Sequence, residues 1–265
     1  MTNILFAQQV DDFLPEYQEH LFEMLSDLAI ILNKHNLRWW IDGGTLLGFV
    51  RNNGFIPWDD DMDISLPRND YIKLMEILKE DEQFNKKYSL LHDTDKPSTQ
   101  QVTKLYSEKY TIFEDAGNGN CLIHKAFIDI FAYDLTNGHL ITKYFTKKMV
   151  RNHGRLQGQP KNANLLTMII RLKEHIVLIS SKIAHQLINS IAKQNKIYLK
   201  ICKYKAMHNI NDVLPVKPMK WDNIEVMVPH NYIQYCINLF GKSYMNLPPK
   251  EKRIPHAFLI LRNYI

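Results

Sequence analysis

Three acids and a glycine pair, in the order Gly43-Gly44-Thr45, Asp61-Met62-Asp63 and Asp129, are the residues of this chain whose types and spacing could do chemistry. Two carboxylates at i and i+2 of an extended segment, joined by a third from a neighbouring strand, supply the hard oxygen ligands that Mg²⁺ or Mn²⁺ prefers. A Gly-Gly turn leading into a helix exposes backbone N–H groups and a helix N-terminus, an anion site suited to phosphate. Metal, phosphate cradle and a carboxylate that can accept the proton of an attacking hydroxyl are the parts of phosphoryl transfer. Each part alone has a plainer reading, the glycines as a turn and the Asp-rich loop as a solvated surface or helix cap. No Walker lysine follows the glycines and no GxGxxG opens a βαβ unit, so P-loop and Rossmann readings lack their defining residues.

Further residues stand near these in sequence or type. Arg51 could pair bidentately with a phosphate or simply end a helix in solvent. Lys104 could face the site or be solvated, and His256 could act as base, as phosphate ligand or as a hydrogen-bonded structural histidine. Asp42, Asp59 and Asp60 are expected to support the loop or cap a helix rather than bind metal. Trp39, Trp40 and Trp58 flank the acids; each reads first as core packing, with a cation–π face for a quaternary ammonium group as the sharper alternative.

The elements that must position these residues follow from periodicity. Leu21, Met24, Leu25, Leu28, Ile31 and Leu32 recur at helical spacing and predict an amphipathic helix over about 14–35. The run 38–41 reads as a strand entering the glycine turn, and 45–50 as a short helix. Residues 54–58 read as a loop. In the extended stretch that follows, Asp59, Asp61 and Asp63 share one face while Asp60, Met62 and Ile64 share the other. A helix is expected over about 69–79. Asp129 interrupts the apolar strand 126–131, where an unpaired buried carboxylate would be costly, so a metal or a cationic side chain must stand beside it. A last helix is expected over about 232–240, amid proline-rich loops.

The chain has 265 residues, 45% of them hydrophobic, enough for a sizeable core without a disordered tail. Cys121, Cys202 and Cys236 form no CxxC pair, which argues for neither a disulfide framework nor a cysteine zinc site and fits a reducing cytoplasm. Acids at 11, 12 and 16 spoil a signal-peptide pattern. The net charge of +5 conceals an asymmetry: residues 139–206 hold fourteen Lys/Arg against the single Glu174, a surplus of +13 against −8 elsewhere. This basic, mostly helical segment is too interrupted by charge to span a membrane. It reads either as a helix packed on its own domain or as one lying on an anionic membrane surface.

The stretch from Ile41 through Gly43-Gly44-Thr45 to Arg51, with Gly54-Phe55-Ile56-Pro57-Trp58, Asp61-Met62-Asp63-Ile64 and Arg68-Asn69-Asp70-Tyr71, closely resembles the signature of the LicD/fukutin-related family. Ile128-Asp129-Ile130-Phe131 is similar to that family's downstream acidic motif, and the tail from Ile224 to His256 to its C-terminal region. The resemblance implies an α/β (α+β) fold of nucleotidyltransferase-like type, a mixed sheet flanked by helices. The chain is expected to form one domain over 1–265, with 139–206 as a basic helical insertion. The resemblance further implies, for the bacterial type, transfer of phosphocholine from CDP-choline to a sugar hydroxyl of lipopolysaccharide or teichoic acid. By similarity Asp61, Asp63 and Asp129 would hold the metal, Gly43, Gly44 and Thr45 would lie against donor phosphates, and one of the acids or His256 would take the acceptor proton. Another CDP-linked donor (ribitol, glycerol or ethanolamine), nucleotidyl transfer from an NTP, and a non-catalytic basic module for membranes are the rival readings. A cytoplasmic enzyme, peripheral on the inner membrane face where a lipid-linked glycan resides, is expected, and nucleic acid is not expected as a partner.

Overall fold

The computed structural model describes residues 2–91, 102–117, 120–136, 196–199 and 207–263, with a few helical positions between 172 and 187. The first helix, α1 (Thr2–Lys34), is longer than its apolar periodicity predicts. Tyr17, Leu21, Met24, Leu25, Leu28 and Leu32 form its fully buried stripe. There follow β1 (Trp40–Ile41), α2 (Gly43–Asn52), β2 (Asp63–Pro67), α3 (Arg68–Glu80), α4 (Glu82–Lys87) and β3 (Tyr88–Leu91). A long pair, β4 (Val102–Gly117) and β5 (Asn120–Thr136), leads to β6 (Lys196–Leu199) and β7 (Met207–Asn209). The chain continues through α5 (Ile210–Val213), the hairpin β8 (Lys217–Trp221) and β9 (Ile224–Val228), α6 (Tyr232–Phe240) and β10 (Ala257–Arg262).

Eight strands make one mixed sheet whose central path is β1-β2-β5-β4-β10. Strands β2 and β5 run parallel and every other pairing is antiparallel. All five residues of β2 are buried, as are Ile128, Ile130 and Ala132 of β5, so these two central strands lie inside the protein, and the polar residues of β2, Asp63 and Ser65, are buried with the apolar ones. Because register partners share a face, Asp63, Asp129 and Lys104 form a row across three strands, Asp63 opposite Asp129 and Asp129 opposite Lys104. The reverse face carries Ile64, Ile130 and Thr103. There Tyr71 of α3 bonds the Thr103 hydroxyl at 2.5 Å and His20 of α1 bonds Ser107 Oγ at 2.8 Å. Helices α2 and α6 cover the acidic face through their contacts with Asp63 and Tyr133. The fold is therefore the mixed, helix-flanked sheet expected from the family resemblance.

Three expectations shift in detail. The extended stretch preceding Asp63 is a loop, since strand pairing begins only at Asp63. The C-terminal part holds the β8–β9 hairpin and β10 in addition to α6, with β10 paired along β4. The basic insertion, 139–206, lies mostly outside the described residues; at 196–199 it is a strand rather than a helix, added to the edge of β5 with Tyr198 opposite Asp134.

Candidate active site

The glycine turn is built on a buried acid. Asp42, 3% exposed, caps α2 through the Gly43 N–H at 2.8 Å and also accepts from Ser65 Oγ at 2.5 Å and Tyr235 OH at 2.9 Å. Burial raises the Asp42 pKa, and these donors oppose the rise by solvating the carboxylate in place of water. Trp40 Nε1 donates to Tyr235 OH at 3.1 Å, and His208 stacks on the Tyr235 ring with centroids 3.8 Å apart. The turn is thus anchored by residues from β1, β2 and α6.

Gly43 has φ +50°, a left-handed conformation that side chains disfavour, and a Cβ there would stand 2.1 Å from Asp63 Oδ2. At Gly44 a Cβ would meet Asp59 Oδ2 at 2.7 Å. Both glycines therefore make room for carboxylates. Thr45 is buried, and its Oγ1 accepts from the Asp63 N–H at 2.8 Å, while the Asp42 N–H donates to Asp63 O at 3.0 Å. The Thr45 hydroxyl holds the strand that carries Asp63.

The loop before Asp63 follows the alternation only in part, since Asp59, expected on the face opposite Asp60, keeps a carboxylate oxygen within 4.8 Å of one on Asp60. Asp60 turns inward and accepts from Ala257 N at 2.5 Å, His256 N at 3.2 Å and His256 Nδ1 at 3.2 Å. It ties the loop to the start of β10, a supporting role. Asp59 departs from the supporting role expected of it: it stands with Asp61 at the glycine turn, its carbonyl held by Gln18 Nε2 at 2.8 Å. Burial, then the charges of Asp61 and Asp60, push Asp59 up to about 8. Burial and the Asp60 charge push Asp61 to about 6, and burial with the Asp61 and Asp129 charges holds Asp63 well above the carboxylate range. At Asp129 burial raises the pKa against the pull of Lys104, whose Nζ donates to Oδ1 at 2.6 Å.

The cation that the apolar strand required beside Asp129 is therefore Lys104, which also lies 3.4 Å from the Phe127 ring centroid. Asp63 stands opposite Asp129 in the sheet, and the charge of Asp129 raises the pKa of both Asp61 and Asp63. Among the described residues, the set whose ligand atoms all lie within 4.8 Å is Asp59, Asp60 and His256. The three N–H groups already on Asp60 leave it few lone pairs for a metal, so Asp59, Asp61, Asp63 and Asp129 are the better oxygen donors. Their buried like charges fit a hard divalent cation, which would relieve the crowding that raises them.

His256 is held as an imidazolium, its pKa raised to about 9 first by the hydrogen bond to Asp60 and then by the charges of Asp60, Asp61 and Asp59. Trp39 and Trp40 are fully buried and offer no face to a ligand. Trp58 already has two guanidinium groups over its ring, those of Arg51 and Arg253. Tyr235, Ser65, Gln18 and Arg253 were not predicted, and no local pattern marks them; each reaches the site from a separate part of the chain.

Comparison with known proteins finds these residues inside a match to one family model. Residues 36–157 match the family model described as LicD/FKTN/FKRP, nucleotidyltransferase domain, a span that holds Asp42, the glycines, Asp59 to Asp63, Lys104 and Asp129. The chain is 26% identical to the lipopolysaccharide cholinephosphotransferase LicD of Haemophilus influenzae, over 92% of this chain and 95% of that protein. It is 32% identical to an uncharacterised protein of Rickettsia prowazekii, over 43% of this chain and 42% of that one. With mannosyltransferase regulator 4 of Saccharomyces cerevisiae it shares 29% identity over 43% of this chain but 9% of that protein.

Proposed function

We propose that this chain, part of which matches the LicD-type family model, transfers phosphocholine from CDP-choline to a sugar hydroxyl of a cell-surface glycan, lipopolysaccharide or teichoic acid. The observation that carries the reading is the row Asp63, Asp129 and Lys104 across β2, β5 and β4, set beside Asp61 and Asp59 over the glycine turn. The choice of choline rests on the Haemophilus relative.

In the proposed reaction the acceptor oxygen attacks the choline-bearing phosphorus. The new P–O bond forms as the bond to the bridging oxygen breaks, CMP departs with the electron pair, and a carboxylate of the cluster takes the hydroxyl proton. Asp61, Asp63 and Asp129, with Asp59, would hold Mg²⁺ or Mn²⁺, which supplies charge neutralisation for the diphosphate when bound. Lys104 orients Asp129 and adds a positive charge at that end of the row. His256, with Nδ1 committed to Asp60, has Nε2 to offer to a phosphate oxygen. The Asp42 network keeps the glycine turn rigid while the acids act beside it.

The test is purified protein with CDP-choline, Mg²⁺ and a panel of glycan acceptors, following CMP release and product mass with and without EDTA. An EDTA-sensitive gain of phosphocholine is expected. A gain with CDP-ribitol, CDP-glycerol or CDP-ethanolamine alone would change the donor, and nucleotide attached to the acceptor would make the chain a nucleotidyltransferase.

A cytoplasmic location, peripheral on the inner face of the membrane, belongs to the same proposal. No helix among the described residues is long and apolar enough to cross a membrane. The described helical residues Leu172, Ile176, Ile179, Ile183 and Leu187, at three- and four-residue spacing inside the basic segment, are each more than half exposed. Apolar side chains at that spacing amid lysines and arginines suit an anionic bilayer surface. The protein is expected to sediment with phosphatidylserine-containing vesicles at low salt and to be released at high salt; equal sedimentation with neutral vesicles would sink the electrostatic part.

A further inference from the structure

Arg51 lies in the last turn of α2 and Arg253 follows the 3₁₀ turn Lys250–Lys252, yet both guanidinium groups stand over the ring of Trp58, at 5.9 and 5.7 Å from its centroid. Two like charges gathered on one ring repel, and neither forms an ion pair with a carboxylate among the described residues. Each is instead fixed through Nε, Arg51 on Asn52 Oδ1 at 3.2 Å and Arg253 on the Pro248 carbonyl at 2.8 Å. With Nε anchored, the terminal Nη groups keep their donors for something else. The loop bearing Arg253 is held by Asp60 through His256 and Ala257, so the acid at the base of the carboxylate loop also sets this arginine in place. Trp58 directly precedes Asp59, whose charge acts on Arg51, whereas Lys104 stands on Asp129.

We propose that Arg51 and Arg253, braced on Trp58, form a clamp for the phosphate of the departing nucleoside monophosphate. The inference rests on the transferase reading and deepens it. When the diphosphate breaks, the leaving phosphate becomes a monoester dianion, and two guanidinium forks match that charge and geometry. The transferred group is excluded from this end, because a quaternary ammonium would meet two positive charges where the aromatic face is already taken. The phosphocholine half of the donor is thereby directed toward the Lys104 end, and the nucleotide half toward Trp58.

The experiment is titration calorimetry of the whole chain with CMP, cytidine and the other nucleoside monophosphates in Mg²⁺, alongside melting curves. The unaltered protein should bind CMP at least about tenfold more tightly than cytidine. Arg51→Gln and Arg253→Gln should each weaken CMP about tenfold, with cytidine binding and Tm unchanged, and Arg253→Lys should recover part of the loss. Undiminished CMP binding in both Gln variants overturns the clamp, as does an unaltered protein that binds no nucleoside monophosphate. A loss seen only in KM for a phosphorylated acceptor assigns the arginines to the acceptor and likewise overturns it. Preference for a different nucleoside monophosphate, with the same losses in the variants, supports the clamp and rejects the cytidine donor instead.

Discussion

Exchanging Asp61 for Asn is expected to lower transfer on the order of a thousandfold and, in EDTA, to raise Tm by a few degrees. The two effects share one cause. Burial and the Asp60 charge hold the Asp61 pKa at about 6, and Asp59 beside it rises to about 8, so at neutral pH the folded metal-free protein carries carboxylate charge that it solvates poorly. A folded pKa above the unfolded one means that the native state binds more protons, and stability present below about pH 4 is lost as pH rises through about 6 to 8. The unaltered protein in EDTA should therefore melt lower at pH 8 than at pH 5.5. Asp61→Asn should flatten that slope, and Mg²⁺ should raise the pH 8 value of the unaltered protein more than that of the variant. Near-normal turnover by the variant would remove Asp61 from the site. A variant that melts lower than its parent in EDTA at pH 8 would refute the account of crowded charge.

The second large effect concerns a glycine that touches no acid. A Cβ on Gly48 would stand 2.7 Å from Gly54 O, 2.7 Å from Ile56 N and 3.1 Å from Phe55 C, all backbone atoms that cannot rotate aside. Gly48→Ala must push α2 away from the loop leading to Trp58 and Asp59, at about 2–3 kcal/mol of stability and a fall in Tm of about 5–10 °C. Activity should fall further than stability alone explains, since Gln18 holds the same loop through Ile56 O at 3.1 Å and Asp59 O at 2.8 Å. Gly54→Ala is the control: a Cβ there would meet only Trp221 Nε1, at 4.0 Å. Equal melting of the two variants would show that the close approach of α2 to the loop carries no cost.

Local information made much of the frame legible. The apolar stripe of α1, the span 69–79 inside α3 and the coincident bounds of α6 follow from helical periodicity, which any one segment contains in itself. The supporting role of Asp60 was legible too, whereas the approach of Asp59 to Asp60 and His256 comes from loop closure that no local alternation contains. Strand β4 was not legible: its polar run, with Lys104, Ser107, Glu108 and Lys109, carries no clean alternation, and only pairing with β5 on one edge and with β3 and β10 on the other makes it a strand. Within α2, Asp42 as cap was anticipated, while Tyr235 and Ser65, which solvate it, come from distant positions.

By itself the sequence marked Asp61, Asp63, Asp129 and the glycine turn as candidates for metal and phosphate, and the segments 14–35, 69–79 and 232–240 as helices, because residue type and short-range spacing are properties of the chain. The tertiary structure alone decided that Lys104 is the cation on Asp129, that the glycines yield their space to Asp63 and Asp59, and that Arg253 joins Arg51 at Trp58. Those outcomes depend on strand register and loop closure between residues far apart in the chain, energies that no local window contains.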